Sequence, residues 1–270
     1  MEYIQYVEKI IPAVLQAGKE IINIYHSDFE VYTKEDDSPL TQADLRSNAL
    51  IEPILIQTGF PVLSEESTHY TPEERQQWET YWLLDPIDGT REFVNKTDEF
   101  CVCVALIHHK KPVLGIIYAP VSATLYIGIE NIGSYKIEEL HTFSTWQDVL
   151  QKAQKLPLHQ PEFNTYNFLS SVSFPDEKTQ AYMQSLQKKY SNWVEKKMGS
   201  CLKFAYFAEG KANEYSRWLS LNEWDIAAGH ALVKFAGFDL LQFETSEEVS
   251  YNNPSMKTSG FRLVNTQKGL

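Results

Sequence analysis

The sequence predicts a mixed α/β protein on three observations. Residues 2–26 carry apolar side chains at helical spacing. Residues 100–129 hold three apolar runs joined by short loops, the pattern of an antiparallel meander. The second half alternates strand-like and helix-like segments. With 270 residues, 43% of them hydrophobic, the chain can bury one large core or two lobes sharing a cleft.

Ile4, Val7, Ile11, Val14, Leu15, Gly18, Ile21, Ile22 and Tyr25 define the first amphipathic helix. Pro12 removes an intrahelical bond, so a bend or a restart is expected near residue 11. The polar stretch Thr33–Asp44 reads as a mobile loop feeding a helix through Leu45, Leu50, Ile51, Ile54 and Leu55. Thr41 suits its N-cap and Asp44 holds the capping-box position, which by itself accounts for Asp44. Phe60–Leu63 is a brief apolar strand running through Ser64 into Glu65 and Glu66. Adjacent acids are ordinarily solvated surface charge, but these abut a buried run. Thr71–Glu79 is expected to be an exposed helix opened by Thr71-Pro72-Glu73-Glu74.

The stretch Trp82-Leu83-Leu84-Asp85-Pro86-Ile87-Asp88-Gly89-Thr90-Arg91-Glu92-Phe93 follows. Tyr81–Leu84 is apolar on consecutive residues, as in a strand covered on both faces, and the chain breaks at Pro86 and Gly89. Pro86 fixes its own φ, while Gly89 lets the backbone turn or approach an anion. Asp85 and Asp88 can converge across that bend on one hard cation, with the Ile87 carbonyl between them and the Thr90 hydroxyl beside them. Turn chemistry alone also explains aspartates in such a loop.

The meander comprises Phe100–Ile107, Pro112–Ala119 and Thr124–Ile129. Cys101 and Cys103 point to one face of its first strand and read as small buried hydrophobes. His108 and His109 lie in a turn without zinc-site spacing. Residues 130–165 are polar and irregular, and they suggest one domain of two lobes, 1–145 and 146–270. The second lobe is expected to contain a strand at Asn167–Ser173, a helix at Asp176–Tyr190, a strand at Trp193–Lys196, a helix at Ser200–Glu209 and a strand at Glu214–Trp218. The start of the Ser200 helix, with Gly199 and the Ser200 hydroxyl, is a natural anion site, with Lys203 on its first turn. Lys203 and Arg217 equally suit a surface. A helix rich in small residues runs from Glu223 to Gly237, with Asp225 at its start either as a cap or aimed at a metal.

A formal charge of −12 argues against sequence-independent binding to a nucleic-acid polymer. An anionic small substrate remains compatible if cations reverse the field locally. No signal-peptide pattern and no run of membrane-spanning length is visible, so a cytoplasmic location is expected, with peripheral contact at the inner membrane face still open. Nothing in the sequence sets an oligomeric state.

Asp85-Pro86-Ile87-Asp88-Gly89-Thr90, with Glu65-Glu66 upstream and Trp224-Asp225-Ile226-Ala227-Ala228 downstream, resembles the inositol monophosphatase-like family of magnesium-dependent, lithium-sensitive phosphatases. Ser38–Asp44, Pro61–Glu66, Phe93, Gly199–Phe204 with Ala208-Glu209-Gly210, and the ending Asn253-Pro254 with Gly260-Phe261-Arg262 are similar to its bacterial 3'(2'),5'-bisphosphate nucleotidase branch. The segment Ser255–Ser259 departs from the compact form expected there.

The resemblance implies a layered αβαβα sandwich of the inositol monophosphatase and sugar phosphatase type. It implies two or three Mg²⁺ ions held by Glu65, Asp85, the Ile87 carbonyl, Asp88 and Asp225, an oxygen set suited to that ion. Asp44 and Thr90 match the family's pair that activates water, so with Glu65 they form the catalytic set. Asp88, Gly89, Thr90, Ser200, Lys203, Arg217 and Asp225 are the expected substrate contacts, the amides of Gly89 and Thr90 on the cleaved phosphate and the two cations on a second one. The implied substrate is the nucleotide 3'-phosphoadenosine 5'-phosphate, hydrolysed to AMP and phosphate in sulfate assimilation without a covalent phosphoenzyme. An inositol monophosphatase or a sugar bisphosphatase is the alternative, and a non-catalytic metal and phosphate binder a remote one.

Overall fold

The computed structural model describes residues 3–34, 38–67, 70–159, 165–172 and 176–265. Glu35–Asp37 in the expected polar loop, Pro161 in the expected boundary and Ser173 at the end of an expected strand lie outside them.

In chain order, α1 (Ile4–Tyr25) precedes a hairpin of β1 (Val31–Thr33) and β2 (Pro39–Thr41), then α2 (Gln42–Ile56), β3 (Val62–Ser64), α3 (Pro72–Arg75), β4 (Thr80–Asp88) and α4 (Thr90–Val94). The meander is β5 (Cys101–His108), β6 (Lys111–Ala119), β7 (Thr124–Ile129) and β8 (Gly133–Ile137), followed by α5 (Trp146–Leu150) and β9 (Gln154–Lys155). The remainder is β10 (Tyr166–Ser171), α6 (Glu177–Lys189), β11 (Trp193–Met198), α7 (Leu202–Ala208), β12 (Glu214–Arg217), α8 (Glu223–Phe235), β13 (Leu240–Gln242) and β14 (Phe261–Val264).

Seven strands form one sheet in the order β3-β4-β5-β6-β7-β8-β9, with β3 and β4 parallel and the rest antiparallel. Five form a mixed sheet, β11-β10-β12-β14-β13. Three buried clusters set the layers. Trp82, Leu84, Val104 and Ile116 face α1 and α2, while Tyr81, Leu83 and Ala105 on the opposite face meet Phe204, Phe207, Ala228 and Leu232 of α7 and α8. Tyr215, Phe261 and Leu263 of the five-stranded sheet join that second cluster, and Phe168 on the sheet's far side packs with Met183 and Leu186 of α6. The sequence of layers is therefore α, β, α, β, α, as the resemblance implied. Burial on both faces explains why β4 and β5 are continuously apolar.

Gly115 and Gly128 let α8 lie directly on the large sheet. A Cβ on Gly115 would stand 2.5 Å from the Ala228 carbonyl oxygen, and one on Gly128 2.6 Å from that of Ala231. The small residues of α8 thus serve close approach.

Several expectations are corrected. α1 runs without interruption through Pro12, which lies on its solvent face, where the carbonyl left without a donor can be hydrated. Residues 130–165 are more regular than expected: β8 and β9 extend the large sheet to Lys155, beyond residue 145, and α5 lies between them. The helix expected over Thr71–Glu79 shortens to Pro72–Arg75, and Arg75 is buried, its guanidinium bonded to Asn252, Asn253 and Pro254. The expected Ser200–Glu209 helix begins at Leu202, after an N-cap at Cys201.

Candidate active site

The pairing of β4 with β5 explains how Asp85 and Asp88 cooperate. Residues three apart in a regular strand point to opposite faces. Here Asp85 pairs with Cys103 and Asp88 with Cys101, so Pro86 and Ile87 together oppose Val102, a β-bulge. Cys101 and Cys103 share one face, and cross-strand partners point the same way, so the bulge brings both carboxylates to that face. Pro86, which has no N–H for the ladder, occupies the position that needs none. Its carbonyl accepts from the Ser47 hydroxyl at 2.9 Å, tying the bulge to α2. Gly89 follows at φ 98°, where a Cβ would also stand 2.9 Å from the Glu99 carbonyl oxygen.

Asp225 enters from the other side as the third residue of α8. Its carboxylate completes a capping box with Asn222, accepting that residue's N–H at 3.1 Å. One oxygen each from Glu65, Asp85 and Asp225 lies within 4.8 Å of the others. This trio has neither sulfur nor imidazole and gathers negative charge that a divalent cation would relieve, so its chemistry fits Mg²⁺.

Asp44 has two distinct contacts. Its Oδ2 accepts from the Thr41 N–H at 2.8 Å and the Thr41 hydroxyl at 2.6 Å, which is the cap. Its Oδ1 accepts from the Thr90 hydroxyl at 3.0 Å, a proton Thr90 shares with the Ile87 carbonyl at 3.2 Å. Cap and candidate catalytic group are the same side chain.

A cleft of about 340 Å³ is lined by Glu65, Asp85, Ile87, Asp88, Gly89, Thr90, Ser200, Lys203, Arg217 and Asp225. Asp44 reaches it through Thr90. The geometry revises the anion site expected before α7. The Cys201 N–H donates to the Asp88 carboxylate and the Gly199 N–H to Glu99 at 2.6 Å, so these amides already serve the chain's own acids. Ser200 accepts from the Leu202 N–H. Lys203 is buried, its ammonium donating to the carbonyls of Ser200 at 2.7 Å and Met198 at 3.2 Å. Arg217 donates from Nη1 to Ser171, and its Nε has no acceptor among the described residues.

Lys34 is a site residue that sequence reasoning passed over. Its ammonium stands 2.8 Å from Glu65 and also bonds Glu66. Burial alone would lower its pKa, but Glu65 and Glu66 more than offset that and hold it raised. A lone lysine before a polar loop carries no sequence signal for this role; the β1–β2 hairpin creates the contact.

Burial, then the charges of Glu65, Asp88 and Asp225, pushes the Asp85 carboxyl well above the usual carboxylate range. Burial and the neighbouring acids do the same for Asp225. Asp88 is pushed up to about 7 by burial, against the pull of Lys203 and the Cys201 amide. Carboxyls raised above their unfolded values favour the metal-free fold at low pH, and that stability is lost as pH rises through the folded pKa, about 7 for Asp88. Thermal unfolding in EDTA should therefore show these groups stabilising the protein more at pH 6 than at pH 8. Mg²⁺ binds the deprotonated form, so its stabilising shift should be larger at pH 8. A larger shift at pH 6 would exclude these acids as its ligands.

The profile of the inositol monophosphatase family matches residues 4–265. The chain is 33% identical over 251 residues to the 3'(2'),5'-bisphosphate nucleotidase CysQ of Escherichia coli (strain K12), covering 92% of this chain and 94% of that one. Its fold superposes on the crystal structure of CysQ from Bacteroides thetaiotaomicron with a TM-score of 0.89 at 34% identity, over 98% and 99% of the two chains. An IMPase/NADP phosphatase complexed with Mg²⁺ and phosphate shares the fold at 18% identity and a TM-score of 0.73, over 97% and 92% of the chains. No described helix is long and apolar enough to cross a membrane.

Proposed function

The chain belongs to the inositol monophosphatase family, and on that footing we propose that it is a metal-dependent 3'(2'),5'-bisphosphate nucleotidase. It removes the 3'-phosphate of 3'-phosphoadenosine 5'-phosphate, leaving AMP and phosphate, a step of sulfur metabolism. The observation that carries this reading is the carboxylate trio Glu65, Asp85 and Asp225 lining the same cleft as the Thr90 hydroxyl that Asp44 holds.

Glu65, Asp85, the Ile87 carbonyl, Asp88 and Asp225 are the groups that would hold two or three Mg²⁺ ions. When bound, such ions neutralise phosphoryl oxygens and lower the pKa of water in the site. The chain's own contribution is positional. Because the Thr90 proton points to Asp44, a Thr90 lone pair is left to accept from the attacking water and aim it at phosphorus. As the new O–P bond forms and the ester O–P bond breaks, the water proton moves toward Thr90 Oγ1 and the Thr90 proton toward Asp44 Oδ1. Burial pushes the Asp44 carboxyl upward, which strengthens it as the proton acceptor. The first amides of α4, at Gly89 and Thr90, lack intrahelical partners and can supplement the cations on the phosphate.

For the second phosphate, Arg217 is the better-placed cation, with its Nε unpartnered among the described residues. Lys203 is held by carbonyls beside Asp88, so it supports the turn as well as the local field. Arg217→Met should raise KM for the bisphosphate about tenfold and alter kcat little, whereas Lys203→Met should lower kcat too. Equal effects of Arg217→Met on a nucleotide monophosphate would remove Arg217 from the distal subsite.

The deciding experiment compares phosphate release with Mg²⁺ from 3'-phosphoadenosine 5'-phosphate and inositol 1-phosphate, each repeated with Li⁺. A kcat/KM preference for the nucleotide of at least about 100-fold, roughly 2.7 kcal/mol of transition-state discrimination, is expected. A preference for inositol phosphate would assign the chain to a different branch, and no turnover of either would overturn the phosphatase reading.

A further inference from the structure

All three cysteines of the chain are free and buried, and they gather behind the candidate metal site. Cys103 lies opposite Asp85 across the β4–β5 ladder and Cys101 opposite Asp88. The Cys101 and Cys103 sulfurs are 3.7 Å apart, and an Asp88 carboxylate oxygen lies within 4.8 Å of both. Two sulfurs at about 2.3 Å from a tetrahedral zinc ion are separated by about 3.8 Å, so the sulfur pair already has the spacing of two ligands on one ion. Cys201 is buried beside this group and lines the cleft, so its thiol can swing in as a fourth donor and the cleft is the route of entry.

We propose that Asp88, Cys101 and Cys103, with Cys201 as fourth ligand, form a site for a thiophilic divalent cation, Zn²⁺ or Cd²⁺, that switches the enzyme off by taking Asp88 away from the Mg²⁺ site. The binding half stands on the sulfur geometry alone; the inhibitory half rests on the function proposed above. Soft thiolates prefer these ions, whereas Mg²⁺ prefers the oxygen trio of Glu65, Asp85 and Asp225. Burial holds the Cys103 thiol well above its ordinary value and pushes Cys201 up to about 11, so both are neutral in the resting protein. Coordination releases the thiol protons to solvent as the ion–thiolate bonds form. The anionic ligands then outweigh the charge of the ion, and the neighbouring Lys203 ammonium offsets part of the excess.

The test titrates Cd²⁺ into metal-free protein kept reduced by a non-thiol reductant and follows the thiolate-to-cadmium charge-transfer absorption. The band should saturate at one equivalent, persist in excess Mg²⁺, weaken in Cys201→Ala and vanish in Cys101→Ala/Cys103→Ala. In turnover assays Zn²⁺ should inhibit the wild type at a midpoint that rises with added Mg²⁺, because the two ions share Asp88, and the double variant should need at least about tenfold more Zn²⁺ at the same Mg²⁺. Should the double variant fail to melt cooperatively, Cys103→Ala alone must still lose one thiolate's share of the band. Absence of the band at one equivalent, or an unchanged band in these variants, overturns the site. A normal band in the wild type with an equal inhibition midpoint in both proteins overturns the switch. Because the band needs no substrate, failure of the nucleotidase reading would leave the binding result intact.

Discussion

Asp85→Asn is expected to lower kcat by at least about 10³-fold, some 4 kcal/mol of transition-state stabilisation, while raising the melting temperature of the metal-free protein. The two effects have one cause. Asp85 is 2% exposed and shares its surroundings with Glu65, Asp88 and Asp225, whose charges repel its own. Asparagine keeps an Oδ1 acceptor for the Ile87 N–H, bonded at 3.0 Å in the native chain, and removes the buried charge. The metal-free fold therefore gains what the metal site loses. Mg²⁺ should raise the melting temperature of the wild type and leave that of the variant nearly unmoved. A fall in kcat with a full Mg²⁺ shift would mean that Asp85 acts on substrate rather than on the ion.

Thr90→Val should reduce kcat by about 10²–10³-fold, with KM within about twofold of native, because the substitution preserves shape and removes only the hydroxyl that orients water. Thr90→Ser should recover most of the loss. Asp44→Asn should show a similar kcat defect with little change in melting temperature, since one amide oxygen still accepts from both Thr41 groups as Oδ2 does, while the NH2 left facing Thr90 cannot take its proton. If the two residues move one proton between them, the double variant should be scarcely slower than either single one. Multiplicative losses would separate their roles.

The fold was legible where burial is two-sided or helical spacing is strong. Tyr81–Leu84 and the meander announced themselves because both faces of that sheet are covered. β8 and β9 did not, because β8 mixes buried and partly exposed residues without a period of two and β9 is two exposed residues at the sheet edge. α5 has only five residues, too few to establish a period. Within the site, Asp44 could be read as a cap or as a catalytic group, and the structure explains why neither reading excluded the other: one oxygen makes the cap and the other accepts from the Thr90 hydroxyl. The bond from the Cys201 amide to Asp88 spans 113 positions and was beyond local pattern, as was the Lys34–Glu65 pair across 31. That Cys101 and Cys103 share a face followed from strand geometry. That this face is the one carrying the acids followed only from the bulge.

The glycine seam beneath α8 reorders which positions can vary. In a library of random substitutions scored for activity, Val194 and Lys197 on the exposed β11 should accept many replacements. Gly115 and Gly128 should accept almost none, although neither lines the cleft. Alanine at either would lift α8 from the sheet, or strain it by about 1–3 kcal/mol, and the displacement would travel with Asp225. The positions most costly to alter thus include two with no side chain and no chemistry, whose contribution to the acidic trio is the distance they allow.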